Sequence, residues 1–375
     1  MISNINPKIF SIGTSNPKFK INVDNFLSEK EIKEKVNQLL PKVAFRPYFL
    51  TKRLFKKFLG VDSLYLHFDL LEKIRASSKQ QIHFFENVGN AALEISYSSA
   101  QIAINNWGGN PKNLTHFIYI SSSDMEDFSI DLIPMLGLRD DIERFPIFYQ
   151  TCHSGLSGLR LADKLARINP KNRVLLVSTD MPNKNFNNFS TITSFGMTLA
   201  FGDGSASLVI GMRESDIECK PLFEVLSVST KIVPDTYKDL EMTYTDNNIN
   251  IVHTRNLPIH LSSNVPGFGR QIIENSNLAS LDLSLSNYQL IFHSGKKSII
   301  QANAKATNSK LEATKRVFKK YGNMTGPTVY FVLNESRNLK WKSEYGIMNS
   351  FGFGLVLEGA LIKNLNIKTD KVMKK

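Results

Sequence analysis

The stretch RFPIFYQTCHSGLSGLRLADKLARINPKNRVLLVSTD, residues 144–180, decides the fold. Its first eight residues are an apolar, β-rich run that breaks into CHSGLSG, turns into the helical pattern LRLADKLARINP, and is followed by a second β-rich run, RVLLVSTD. That order places Cys152 at a strand-to-helix corner, where a side chain is presented as a nucleophile would be. The helix that follows aims its unpaired backbone N–H groups and the positive end of its dipole at the sulfur, which favours thiolate over thiol. Gly155 and Gly158 are expected to leave space for a substrate beside it. Taken alone, Cys152 reads rather as a buried structural cysteine; only partners elsewhere in the chain can reverse that reading.

Working outward, β-rich runs and helical patterns keep alternating. KIFSIGTS, a helical stretch near 84–107, THFIYISSS and a helix near 127–137 precede the corner, and SASLVIGM follows it. FEVLSVST, a helical stretch near 265–278, YQLIFHSG, helices near 297–320, TVYFVLNES and FGLVLEGALI repeat the theme. The pattern predicts an α/β fold with a largely parallel central sheet. Two halves follow from it, residues 1–215 carrying Cys152 and residues 216–375. No low-complexity linker separates them, so they should pack as one body.

A chain of 375 residues with 42% hydrophobic and 21% charged residues can bury a sizeable core. No apolar run approaches the roughly 18 residues of a membrane span. The first residues, MISNINPKIFSIGTS, lack a secretory pattern, and two cysteines make no disulfide framework, so the expected location is a reducing cytoplasm. Lys and Arg exceed the acids by 46 − 34 = 12, concentrated in TKRLFKKF (51–58), GKK (295–297), KRVFKK (315–320) and the tail KTDKVMKK. This excess implies attraction to an anion without choosing among nucleic acid, a membrane surface and phosphorylated small molecules. Lysine stems laid over apolar surface give the same pattern.

Cys152, His293 and Asn323 all stand at the ends of apolar runs, where α/β sheets place their chemistry. A thiolate can attack a thioester, an imidazole can move protons, and an amide N–H can hold an oxyanion. Singly, each has another reading: six further histidines occur, and an Asn beside Gly is ordinary turn chemistry.

The ordered motifs FYQTCHSGLSGLRLADKLARINPKNRVLLVSTD, LAFGDGSASLVIG, LIFHSGKKSI, KKYGNMTGPTVYFVLNES and FGFG closely resemble the type III polyketide synthases, the chalcone-synthase-like members of the thiolase-fold condensing enzymes. The resemblance runs from KIFSIGTSNP to GFGLVLEGALI, nearly the whole chain. It implies a thiolase-like fold: two similar halves with central mixed sheets in a layered α/β/α/β/α arrangement. It further implies that Cys152 is acylated by an acyl-CoA, that His293 and Asn323 complete the triad, and that malonyl-CoA is decarboxylated beside the thioester to extend the chain to a short polyketide. Such chemistry uses CoA thioesters as substrates and neither metal nor redox cofactor. By the same resemblance the protein is a homodimer in which Met125 reaches into the partner's cavity. Arg53 and Lys57 would meet the CoA phosphates, Phe186 would be one of two gatekeepers with Ile259 replacing the second, and Ser298 would line the substrate site.

Three departures bear on product. The family's HPGG is His293, Ser294, Gly295 and Lys296 here; its GFGPG is Gly352, Phe353, Gly354, Leu355 and Val356; its QGCFAGG is Gln150, Thr151, Cys152, His153, Ser154, Gly155 and Leu156. His153, one residue after Cys152, is expected to point away from it, and Cys219 has no comparable context. A ketoacyl-synthase III-like single condensation or acyl transfer, with an acyl carrier protein as donor, uses the same triad. A silent subunit using its positive surface on nucleic acid is the alternative from another class, and no recognised nucleic-acid motif supports it.

Overall fold

The computed structural model describes residues 6–39, 52–53, 56–57, 59–70, 88–123, 126–184, 192–212, 219–245, 248–278 and 280–366. Its strands are β1 (Lys8–Ser15), β2 (Phe19–Asn22), β3 (Ser63–Leu66), β4 (His116–Ser121), β5 (Glu143–Phe148), β6 (Arg173–Asp180), β7 (Gly204–Gly211), β8 (Phe223–Ile232), β9 (Leu240–Thr245), β10 (Asn248–His253), β11 (Gln289–Phe292), β12 (Tyr345–Gly352) and β13 (Val356–Asn364). The helices are α1 (Val23–Phe26), α2 (Lys30–Leu39), α3 (Val88–Trp107), α4 (Ser129–Met135), α5 (Ser154–Ile168), α6 (Ile192–Thr198), α7 (Leu257–Glu274), α8 (Lys297–Ala306), α9 (Glu312–Tyr321) and α10 (Thr328–Ser336).

One half contributes strands in the order β5-β4-β6-β7-β1 and the other β8-β13-β12-β11, and a short antiparallel pairing at Lys8–Glu224 and Ile9–Phe223 joins them edge to edge. The sheet is less parallel than the strand–helix alternation suggests. Parallel pairing is confined to β5-β4-β6 and to β11-β12, while β6-β7-β1 and β8-β13-β12 are antiparallel. The cause is local at one end: β12 and β13 are separated only by the tight turn Phe353–Leu355, far too short for the helical crossover that parallel neighbours require. TVYFVLNES forms helix α10 rather than a strand.

Helix α3 packs on β1, β6 and β7, helix α7 packs on β8, β12 and β13, and α5 and α10 lie between, touching strands of both halves. Five layers, α/β/α/β/α, result. β4, β6 and β7 are buried along their whole length, as strands covered on both faces must be, and this is why RVLLVS and SASLVIG read as continuous apolar runs. The expected division between residues 215 and 216 lies outside the described residues. Among the described residues no helix is long and apolar enough to cross a membrane.

Candidate active site

The chain leaves β5 through Tyr149 and Thr151, both with positive φ (62° and 55°), then makes a tight turn over Thr151–His153 into α5. Non-glycine residues hold this backbone form only when their surroundings fix it. Here the Thr151 N–H donates to Ser122 Oγ at 2.8 Å, tying the elbow to the end of β4. Cys152 is thereby set at the floor of a cavity of about 1120 Å³, which Asn323, Asp180, Phe351 and Phe353 also line.

Gly155 and Gly158 serve packing rather than substrate. A Cβ on Gly155 would stand 2.5 Å from the Gly326 carbonyl oxygen, and one on Gly158 would stand 2.3 Å from the Ile120 side chain. The glycine at 155 thus lets the loop carrying Asn323 close onto the nucleophile's helix, and the Tyr330 hydroxyl seals the approach by donating to the Gly155 carbonyl at 2.5 Å.

Asn323 follows α9 and is fixed by its own backbone: its N–H donates to Ala200 O at 2.9 Å, and Gly202 N–H donates to its carbonyl at 3.1 Å. The side-chain oxygen accepts the Thr325 N–H at 2.8 Å, which turns the amide nitrogen toward Cys152 Sγ, 4.0 Å away. His293 stands just past β11, its N–H donating to Asn349 O at 2.8 Å and its ring edge-on to Phe351 with centroids 5.3 Å apart. Neither ring nitrogen of His293 has a hydrogen-bond partner, and the residue is buried. The structure therefore brings Cys152 and Asn323 into contact at the cavity, while His293 packs against Phe351, a wall residue, without itself lining the cavity.

Burial dominates the electrostatics. It pushes the Cys152 thiol up to about 12, with the Asn323 amide working against it and the Asp180 charge adding to it. This outweighs the helix N-terminus that favours thiolate. Burial likewise pushes the His293 imidazole down to about 3, reinforced by His153. Each charge alone is disfavoured; moving the thiol proton to the imidazole makes both charges at once, so that their attraction offsets part of the cost.

Asp180, at the end of β6, belongs to this site and was not singled out from the sequence. One carboxylate oxygen accepts the N–H groups of Ser122 (2.6 Å) and Ser123 (3.1 Å); the other accepts the Gly326 N–H (3.1 Å) and the Thr325 hydroxyl. It staples the ends of β4 and β6 to the Asn323 loop. Burial nonetheless raises its carboxyl to about 7 against those hydrogen bonds. The available signal was its place at the end of an apolar strand, the rule already applied to Cys152.

The remaining expectations divide. Lys57 and Ser298 line the main cavity. Arg53 joins Lys56, Lys57, Lys297, Lys315 and Lys319 around an adjoining cavity of about 460 Å³, in which Asp62 is the one acidic lining residue. Lys297 Nζ donates to the Lys57 carbonyl at 2.6 Å, holding two of the basic segments together. Met125 and Phe186 lie outside the described residues. Ile259 does not serve as a gate residue here: it is 62% exposed, and Leu257 lines the cavity instead. Two residues advance a helix by about 200°, so the two side chains face opposite ways. Leu355 is buried in the core while Phe353 forms the wall. His153, expected to point away from Cys152, is buried within the elbow with its ring against Gly352. Cys219 sits apart, its thiol 3.8 Å from the Phe10 carbonyl.

A layered thiolase-like body with a cysteine elbow facing an asparagine defines a condensing enzyme of the transferase class. The chain belongs to the chalcone and stilbene synthase family, matching the description "Chalcone and stilbene synthases, N-terminal domain" over residues 14–214 and the corresponding C-terminal domain over residues 224–366. It is similar to "Type III polyketide synthase B" of Arabidopsis thaliana, with 29% identity across 74% of each chain. It is also similar to "Probable polyketide synthase 1" of Dictyostelium discoideum, 28% identical over 97% of this chain, although the chain spans only 12% of that protein's length. The solved C-terminal type III polyketide synthase domain of Steely1, a type I/III hybrid from Dictyostelium, superposes with a TM-score of 0.81 at 25% identity, covering 96% of this chain and 99% of that one.

Proposed function

We propose that the protein loads an acyl group from a CoA thioester onto Cys152 and extends it by decarboxylative condensation with malonyl-CoA, releasing a short polyketide as a pyrone or aromatic ring. The observation that carries this reading is the Asn323 amide, turned toward Cys152 Sγ at 4.0 Å in a largely apolar cavity. In the loading step the Cys152 proton passes to His293, the thiolate attacks the acyl carbonyl, and CoA leaves as its thiol after taking that proton back. The backbone N–H of Cys152 holds the carbonyl oxygen while it bears negative charge. In the extension step malonyl-CoA loses carbon dioxide; the Asn323 amide and the His293 ring stabilise the enolate oxygen, the enolate carbon attacks the Cys152 thioester, and its C–S bond breaks to return the Cys152 thiolate and leave the extended chain as a CoA thioester. Loss of carbon dioxide drives carbon–carbon bond formation, so the proposed route calls on no metal or redox cofactor. The basic residues around Arg53 and Lys57 suit the CoA phosphates, and a reducing cytoplasm would keep Cys152 a free thiol.

Mass spectrometry of the protein incubated with a panel of acyl-CoAs and malonyl-CoA tests this. An acyl adduct lost in Cys152→Ala, together with carbon dioxide and chain-extended products, is expected. Folded protein that gives neither adduct nor product would end the proposal. One extender unit per product would instead indicate a ketoacyl-synthase III-like single condensation. The likeness to a type I/III hybrid domain, with the basic face at the mouth, also favours delivery by an acidic acyl carrier protein, which salt-sensitive binding in a pull-down would report.

The proposed assembly is a homodimer. β5 ends the sheet, pairing only with β4 among the described strands, and Ile130, Met135 and Tyr149 near it are exposed. Two β5 edges meeting across a two-fold axis would cover both. Sedimentation as a monomer at micromolar concentration would contradict it.

A further inference from the structure

We propose that His153 is a positioning residue for His293, accepting the N–H of its imidazolium form when the Cys152 proton is taken up. This rests on the Cys152–His293 reading above, in which His293 has no other group to orient it.

His293 and His153 pack on adjoining residues of β12, Phe351 and Gly352, and His153 is close enough to act on the charge of His293. His293 is anchored through its backbone to Asn349 of β12 and packs its ring on Phe351. The His153 ring lies against Gly352, the next residue, so closely that a Cβ there would stand 2.0 Å from His153 Nδ1. Both side chains are buried, and His153 Nδ1 and both His293 nitrogens lack hydrogen-bond partners. Thr151 Oγ1, Ser154 Oγ, Ser294 Oγ and Ser350 Oγ, from the same elbow and strand ends, are also without partners. Orphaned buried polar atoms are few in folded proteins, and their occurrence on both histidines marks a place where a proton is to be handled rather than a packing fault.

A catalytic imidazole ordinarily has a third group that fixes its ring and steadies its charged form. The charged and titratable groups facing His153 are Cys152 beside it, His293 from the end of β11, and Arg160 two turns on along α5. The Arg160 guanidinium is bound to Glu358 of β13 through two contacts of 2.9 Å. Arg160 and burial hold His153 well below the ordinary imidazole range, at about 4, so at neutral pH it is an acceptor and not a second cation. The proton path balances: Sγ–H gives its proton to one nitrogen of His293, the N–H on the other donates to His153, directly or through one bridging water, and His153 keeps its own proton count unchanged.

The test is the pH dependence of Cys152 alkylation by iodoacetamide, followed by intact mass with no substrate present. Burial raises the Cys152 thiol while proton transfer to His293 works against that rise, and the wild-type limb that results is the reference. His153→Phe, which keeps the ring volume without an acceptor, should move that limb up by about one pH unit, a fall of about tenfold in rate on the limb. His153→Gln should recover most of it. Gly352→Ala keeps the imidazole but drives it aside, and should reproduce the His153→Phe shift while its thermal melt shows a folded protein. A His153→Phe limb coincident with wild type, or His153→Gln and His153→Phe displaced equally, would overturn the inference. A His293→Gln limb coincident with wild type would instead strike at the Cys152–His293 reading itself.

Discussion

At the floor of the cavity Cys152 and Asp180, and behind its Phe351 wall His293, are each held away from their charged forms by burial, and the groups set to meet negative charge are neutral donors such as the Asn323 amide. At the adjoining cavity, proposed as the mouth, Arg53, Lys57, Lys297, Lys315 and Lys319 gather, with Asp62 the one acidic lining residue among those described. The difference is one of timing. The mouth meets a ligand that arrives charged, so exposed point charges that work at long range and through water suit it. The floor meets charge that exists only during reaction, and standing charges there would have to be buried continuously at high cost. Fixed dipoles that gain their partner only at the transition state suit that task.

The largest expected break in this contrast is at Asn323. Asn323→Ala removes a preorganised donor and should lower malonyl-CoA decarboxylation by about 10²–10³ in kcat with little change in KM. A loss under threefold would mean that the floor does not work through this amide.

The next effect is on stability. A histidine at about 6.5 in the unfolded chain and about 3 when folded, as for His293, binds fewer protons in the native state. Its contribution is whole above pH 6.5 and is lost as pH falls toward 3, by up to about 1.4 kcal/mol per pH unit. His153 adds the same sign down to about 4. Asp180, raised to about 7, has the opposite sign: the native state binds more protons, and stability is lost as pH rises from the ordinary carboxylate value toward 7. Urea midpoints at pH 7, 6 and 5 should therefore fall less steeply in His293→Gln than in wild type. Equal slopes would show that the imidazole is not buried in its neutral form.

At the mouth the effects are smaller and depend on salt. Lys57→Glu or Lys297→Glu should raise KM for acyl-CoA by roughly three- to tenfold, leave kcat within about twofold, and lose most of that difference at 0.5 M salt, where screening is short-ranged. A kcat effect that resists salt would place these lysines on the floor's side of the comparison.

The same contrast governs what the sequence could tell. The elbow was legible because its signal is local: a β-rich run, a cysteine and a helical pattern adjoin in the chain. The basic mouth was legible as charge, since Lys57 and Lys297 carry it whatever they pack against. The packing partner of His153 and the role of Asp180 were not, because both depend on backbone groups far away in sequence, Gly352 in one case and Ser122 and Gly326 in the other. The glycines misled for the same reason, since the atoms that fill their space, the Gly326 carbonyl and the Ile120 side chain, come from other elements.

Helix phase gives the smallest expected effect and the most discriminating one for the cavity wall. Leu257 and Ile259 are two residues apart in α7, with Leu257 buried in the cavity wall and Ile259 62% exposed. Leu257→Phe adds volume where the growing chain would lie, and should shift the product spectrum to shorter polyketides at nearly unchanged decarboxylation. Ile259→Phe adds the same kind of side chain on the outer side and should leave product length within error of wild type. The pair separates a shape effect from a general loss of stability, because a surface aromatic on a helix costs little while an overpacked wall costs about 1–3 kcal/mol. A product change in Ile259→Phe with none in Leu257→Phe would mean that α7 turns its other face to the acyl chain, and would restore position 259 as a gate.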